Sequence, residues 1–99
     1  MSRLEKMAID AVLAQLPQWH SHDAKAAISR TFVFKDFSQA FGFMTQVALA
    51  AERMDHHPEW FNVYNRVEVV LTTHDAEGVT RLDLAMALYM DQITTGLSL

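Results

Sequence analysis

Trp60-Phe61-Asn62-Val63-Tyr64-Asn65-Arg66-Val67-Glu68-Val69-Val70-Leu71 is dense in β-branched and aromatic residues, and its second half keeps strict parity. Val67, Val69 and Leu71 fall on one side, Arg66, Glu68 and Val70 on the other, the period of a strand with one buried face. Asn65-Arg66 is a plausible tight turn, so the stretch reads as a strand from Trp60 to Tyr64 and a second from Arg66 to Leu71; a single long strand is the other reading.

Upstream, Ala27 to Phe34 shows similar parity. Ile28, Phe32 and Phe34 point one way and Ser29 and Thr31 the other, with Arg30 the exception on the apolar side. Between these strands the period changes. Asp36 offers a side-chain oxygen to a helix in which Phe37, Ala40, Phe41, Met44, Val47, Ala48 and Ala51 recur at three-and-four spacing until about Met54. Gly42 costs that helix about 1 kcal/mol relative to alanine and suggests a close backbone approach. Farther out, Trp19 to His22 reads as a brief strand and His22-Asp23-Ala24-Lys25 as a turn. Ser2 with Glu5 has the spacing of a capping box, opening a first helix whose apolar face (Leu4, Met7, Ala8, Ala11, Val12) stops at Pro17.

Downstream, Gly78 gives a loop a residue free to take positive φ. Thr80 and Asp83 form a second capping box for a last helix to about Thr94, with Gly96 beyond it. Leu82, Ala85, Met86, Tyr89 and Ile93 make one face of that helix, and Leu84 and Leu88 lie outside it. Surplus apolar surface of this kind on a small domain calls for subunit association. The order α-β-β-α-β-β-α with short connections predicts an α+β two-layer sandwich, a four-stranded antiparallel sheet with helices on one face.

The 99 residues suit one domain, 1-99, and a composition 51% apolar and 20% charged is that of an ordinary globular protein. No apolar run reaches the roughly 20 residues of a membrane span, and the N-terminus lacks the basic-then-apolar order of a signal peptide, so a cytoplasmic protein is expected. The absence of cysteine excludes disulfides and thiolate zinc sites. A net charge of −4 without any Lys/Arg cluster argues against direct nucleic-acid binding.

Three of the five histidines fall in two short segments, Asp55-His56-His57-Pro58-Glu59-Trp60 and Thr72-Thr73-His74-Asp75. Neighbouring side chains diverge on a helix or strand, so adjacent histidines closed off by proline suit the rim of a site better than a core. His56 and His57 leave the long helix at its end and His74 leaves the last strand, and sites tend to be built at element ends. Imidazole exchanges protons near neutral pH and also ligates metals. Against metal stand the lack of a helical His-x-x-x-His pair and the difficulty of aiming adjacent histidines at one ion. A nucleophilic mechanism has neither a cysteine nor a glycine-flanked serine elbow. Glu52 and Asp55 set negative charge beside the imidazoles, and Asp83 reads as a helix cap before a catalyst. Of Trp60, Phe61 and Tyr64, at least two read as sheet core, with Trp60 the one placed to stack on a flat heteroaromatic ligand.

The segments Phe34-Lys35-Asp36-Phe37, Ala40-Phe41-Gly42-Phe43-Met44-Thr45, Ala51-Glu52, Asp55-His56-His57-Pro58-Glu59-Trp60-Phe61-Asn62-Val63-Tyr64-Asn65, and Thr73-His74 followed by Gly78 and Asp83 closely resemble the pterin-4a-carbinolamine dehydratases. Animal members of that family are also known as dimerisation cofactors of a hepatocyte homeodomain transcription factor. The likeness runs from about Trp19 to Ile93. It implies a four-stranded antiparallel sheet with helices on one side, a homodimer or homotetramer, and no metal or organic cofactor. The implied reaction converts the pterin substrate 4a-hydroxytetrahydropterin, released by aromatic amino acid hydroxylases, to quinonoid dihydropterin in tetrahydrobiopterin recycling. By the same resemblance, His56, His57 and His74 match the catalytic histidines, and Asp55-His56-His57 and Thr72-Thr73-His74-Asp75 the substrate-contacting segments. Glu52, Pro58, Trp60 and Asp83 stand in support. Thr72 is a hydroxyl where animal sequences tend to carry serine, and Asp75 is the acidic residue after the third histidine. A different class of function also follows from the likeness: a module that binds a helical protein partner, such as a transcription factor, and in an animal a nuclear location.

Overall fold

The protein is described by a computed structural model covering residues 5–97. Val67, Val69 and Leu71 are buried as their parity requires, and the strand carrying them, β4 (Arg66–Leu71), is central to the sheet. β3 (Glu59–Val63) pairs with it antiparallel on one side. On the other side lies β2 (Ile28–Val33), with β1 (His20–Ser21) beyond it, giving the order β1-β2-β4-β3. The register Val63↔Arg66 settles the hairpin and places its turn at Tyr64-Asn65, one residue earlier than the sequence suggested. Asn62 holds that turn by donating to the carbonyls of Tyr64 and Arg66, while Asn65 bonds the backbone of Phe34 through both its side chain and its carbonyl. Tyr64 accordingly takes the left-handed conformation, with φ 49°.

Helices cover one face of this sheet. α2 (Phe37–Met54) begins at Asp36, whose carboxylate accepts from the Gln39 N–H at 2.8 Å. Its buried side is Ala40, Phe43, Val47, Ala50 and Ala51. The expected stripe is therefore rotated: Phe37 and Phe41 are 48% and 55% exposed and face each other outside, with ring centroids 5.6 Å apart. Phe43 takes the inner place because its ring meets Phe32 and Phe34, at 4.7 and 5.0 Å. Gly42 faces open space, with no atom within 4 Å of where a Cβ would stand, so no close approach explains it.

α3 (Arg81–Ile93) opens with the expected capping box of Thr80 and Asp83. It rolls so that Asp83, Met86, Ala87 and Met90 face inward; Ala85, expected inside, is exposed, Leu84, expected outside, packs against the core, and Leu88 is exposed as expected. A short α1 (Ile9–Leu13) adds Val12 to the core. It starts later than expected because the Met7 N–H is engaged by the Val79 carbonyl at 2.7 Å; Ser2 and Leu4 lie outside the described residues. Beside that contact, Gly78 has ordinary φ, and the left-handed residue is Glu77. Space is tight at 78, since a Cβ there would stand 2.7 Å from Cδ of the exposed Lys6 side chain, which would have to move aside.

Within this frame Trp60 packs against the core on the helix side of β3, whereas Phe61 and Tyr64 are 58% and 61% exposed, so only one of the three aromatics is sheet core. Arg30 shares the inner side because its charge is satisfied there. Its guanidinium lies 4.1 Å from the Phe32 ring centroid and bonds Asp91 at 2.6 Å, and Asp91 also accepts from the Trp19 indole.

Removing the α2 cap should be felt by the whole fold, because α2 supplies one wall of the core. Asp36→Ala is expected to lower stability by about 1 kcal/mol, read as a lower urea midpoint at unchanged m value.

Candidate active site

α2 ends in a Schellman turn. The His56 N–H reaches the Ala51 carbonyl at 3.1 Å and the Asp55 N–H reaches Glu52 at 3.4 Å, with Asp55 left-handed at φ 51°. Aspartate is among the few non-glycine residues that tolerate this conformation. The reversal turns His56 inward, where it is 8% exposed, and leaves the next residue, His57, outside. Pro58 then leads into β3. At the same end of the sheet, β4 runs out into Thr72 and Thr73. Paired backbone bonds between Thr73 and Gly78 close a loop over the 3-10 turn His74–Ala76, which presents His74 to solvent.

Between these two exits lies an open cleft with a cavity volume of about 690 Å³. Asp55, His56, His57 and Pro58 form one wall and Thr72, Thr73, His74 and Asp75 the other, so both histidine segments reach one cavity. Glu52 and Asp83 stand behind it as partners of the imidazoles. Trp60 does not line it and packs against the core instead. Among the described residues, no group of three or more His, Cys, Asp or Glu side chains stands in a metal-holding arrangement.

Each of the three histidines is held by a carboxylate through Nε2. The His56–Asp83 contact is 2.6 Å, His57–Glu52 is 2.8 Å and His74–Glu59 is 3.1 Å. An ionised carboxylate only accepts hydrogen bonds, so in the neutral ring Nε2 carries the proton and Nδ1 the lone pair. The three pairs differ in setting. Asp83 is wholly buried, and its second oxygen accepts from the Thr73 hydroxyl at 2.7 Å and the Thr80 N–H at 2.9 Å. With the Thr73 proton committed to Asp83, the Thr80 hydroxyl donates to Thr73 across 2.8 Å and accepts from the Leu82 N–H. The pairs of His57 and His74 are solvent-facing. Glu59 is in addition bridged to Lys25, whose ammonium, ahead of the His74 imidazole, holds the Glu59 carboxyl below the usual carboxylate range.

Sequence reasoning found the two histidine segments and missed Glu59, Lys25 and Arg81, the last of which also borders the cleft. For Glu59 the signal lies in the hairpin register, which a turn at Asn65-Arg66 shifts by one residue. A hairpin turning at residues 64–65 sets Glu59 opposite Val70, four residues before His74. Lys25 comes from the β1–β2 loop, which nothing in the sequence tied to the cleft; Thr72 shows the proximity by donating to the Ala26 carbonyl at 2.9 Å.

Truncating Asp83 would strand an imidazole, a hydroxyl and a backbone N–H at once. Asp83→Ala is expected to destabilise the fold by about 3–5 kcal/mol, well beyond a lost cap alone, as measured by chemical unfolding.

Known proteins bear on this site. The sequence matches the family described as Pterin 4 alpha carbinolamine dehydratase over residues 2–93. A Rhizobium johnstonii protein, provisionally named pterin-4-alpha-carbinolamine dehydratase, is 56% identical across 93% of this chain and 91% of its own. A Novosphingobium aromaticivorans protein with the same provisional name is 59% identical across 92% and 95%. Among solved structures, a Brucella melitensis protein described as a transcriptional coactivator/pterin dehydratase superposes with a TM-score of 0.85 at 54% identity, covering 93% of this chain and 98% of that one.

Proposed function

Because this chain belongs to the pterin-4a-carbinolamine dehydratase family, we propose that it is a hydro-lyase that removes water from 4a-hydroxytetrahydropterin to give quinonoid dihydropterin. The observation that carries the reading is the cleft itself, where three imidazoles, each backed by a carboxylate, border one cavity. In this elimination the C4a–O bond breaks, a proton joins the departing hydroxyl to make water, and the proton on N5 leaves as the C4a–N5 double bond forms. One group must give a proton and another take one, both near neutral pH, which suits imidazole. His56 and His74 share these transfers and His57 positions the ring. Asp83 and Glu52 orient the imidazoles they bond, and Asp55, Thr72, Thr73 and Asp75 contact the pterin. The reaction serves the recycling of tetrahydrobiopterin behind an aromatic amino acid hydroxylase.

The test is stopped-flow dehydration of synthetic 4a-hydroxytetrahydropterin with and without protein. His56→Ala and His74→Ala are each expected to lower kcat by roughly 10²-fold, the lower end for loss of a general acid or base. A parental rate in His74→Ala would sink the assignment.

A second property is supported by α2, where Phe37, Phe41 and Leu49 leave 48%, 55% and 60% of their surface exposed. With Phe61, Val63 and Tyr64 at the edge strand β3, this is more of the surplus apolar surface than the last helix supplies, and it suits association into a homodimer or homotetramer. The alternative occupant is a helical protein partner, in keeping with the coactivator description of the Brucella melitensis protein. Phe41→Glu is expected to lower the mass seen by sedimentation equilibrium; an unchanged mass would exclude α2 as the contact.

A further inference from the structure

We infer that Glu59 is a positioning residue for His74, the middle member of a Lys25–Glu59–His74 chain that fixes the tautomer of that imidazole at the cleft. The inference rests on the dehydratase reading above for its kinetic consequence, but its structural content stands apart from it. Three separate elements meet in this chain. Lys25 comes from the β1–β2 loop, Glu59 opens β3, and His74 begins the 3-10 turn after β4. One Glu59 oxygen accepts from the Lys25 ammonium and the other faces His74 Nε2 at 3.1 Å.

The division of oxygens has a chemical consequence. With one oxygen occupied by an ammonium, the carboxylate stays ionised and can act towards His74 only as an acceptor. Nε2 is thereby kept as the N–H nitrogen, and Nδ1 is the nitrogen left to exchange a proton with a substrate. The depressed titration of Glu59 agrees, since Lys25 is its largest cause. Without this partner the His74 side chain, 79% exposed, has no other hydrogen-bond partner among the described residues to set its ring. An exposed ion pair adds little to folding stability, so preserving the fold is a weak reason for the arrangement. Filling the cleft with substrate removes water from the pair and strengthens the orientation when it is needed.

The same logic distinguishes Glu59 from Asp83. Asp83 is part of the α3 cap and of a buried network, so its removal disturbs structure as well as chemistry. Glu59 is on an edge strand and partly exposed, and its loss should leave the fold intact. Partners of this kind, one step behind the reacting group, typically change activity by about 10-fold to 100-fold when removed.

Glu59→Gln and Glu59→Ala are expected to lower kcat for dehydration roughly 10-fold with KM little changed, and to have no such effect in the His74→Ala background. Losses of equal size with and without His74 would overturn the inference, as would a parental kcat in Glu59→Gln. Because those rates presuppose the dehydratase activity, the second measurement is independent of it: ¹⁵N NMR of His74 above its titration range. The parent should show Nε2 predominantly protonated, with Glu59→Gln shifting towards a mixture of tautomers. Identical His74 spectra in parent and variant would overturn the inference whatever the enzyme assay shows. A parent with no dehydratase activity but a tautomer shift would fault the functional reading alone.

Discussion

A carboxylate wholly removed from water has to be met by donors on both oxygens, and Asp83 imposes that demand on three parts of the chain. It caps the helix it sits on, holds Thr73 at the exit of the central strand, and bonds His56 where α2 turns back. The desolvation of such a charge is expensive unless its geometry is complete. Here it is complete, and among the described residues no buried side-chain nitrogen or oxygen lacks a partner. Any shift of α3 relative to the strand ends would break a bond to Asp83, so the residue that starts the last helix also sets the spacing of the cleft.

The other two imidazole pairs show the opposite physics. Glu52 with His57 and Glu59 with His74 are open to solvent, where salt and water screen the attraction. They aim rings without bracing the fold. The cleft thus borders one histidine held in a buried network and two on its solvent-facing rim.

Much of this was legible in the sequence because the decisive signals were local. Parity placed Val67, Val69 and Leu71 inside, the Thr80/Asp83 spacing gave the α3 cap, and the adjacency of His56 and His57 before Pro58 marked an element end. What failed was the rotation of the helices. α2 carries apolar residues on more than one side, and spacing alone could not say that Phe43, against the Phe32 and Phe34 rings, would be inside while Phe37 and Phe41 stayed out. The left-handed residue of the loop after β4 is Glu77 and not Gly78, a distinction that composition does not reveal. Glu59 escapes notice because its partner depends on strand register, and Phe61 and Tyr64 cannot be told from the inward-facing Trp60 without knowing which face of β3 looks towards the helices.

The hairpin joining β3 to β4 turns on two residues, and from Glu52 to Asp83 the chain contains every histidine and carboxylate of the three pairs; Lys25 alone is supplied from elsewhere. The rim pairs His57–Glu52 and His74–Glu59 span 5 and 15 residues and the buried His56–Asp83 pair 27, whereas the β2–β4 pairing that makes β4 central must be closed across the whole of α2. Loop closure over longer separations is entropically harder and slower. The rim pairs therefore close the shortest loops, while the buried His56–Asp83 pair closes one almost as long as the sheet itself requires.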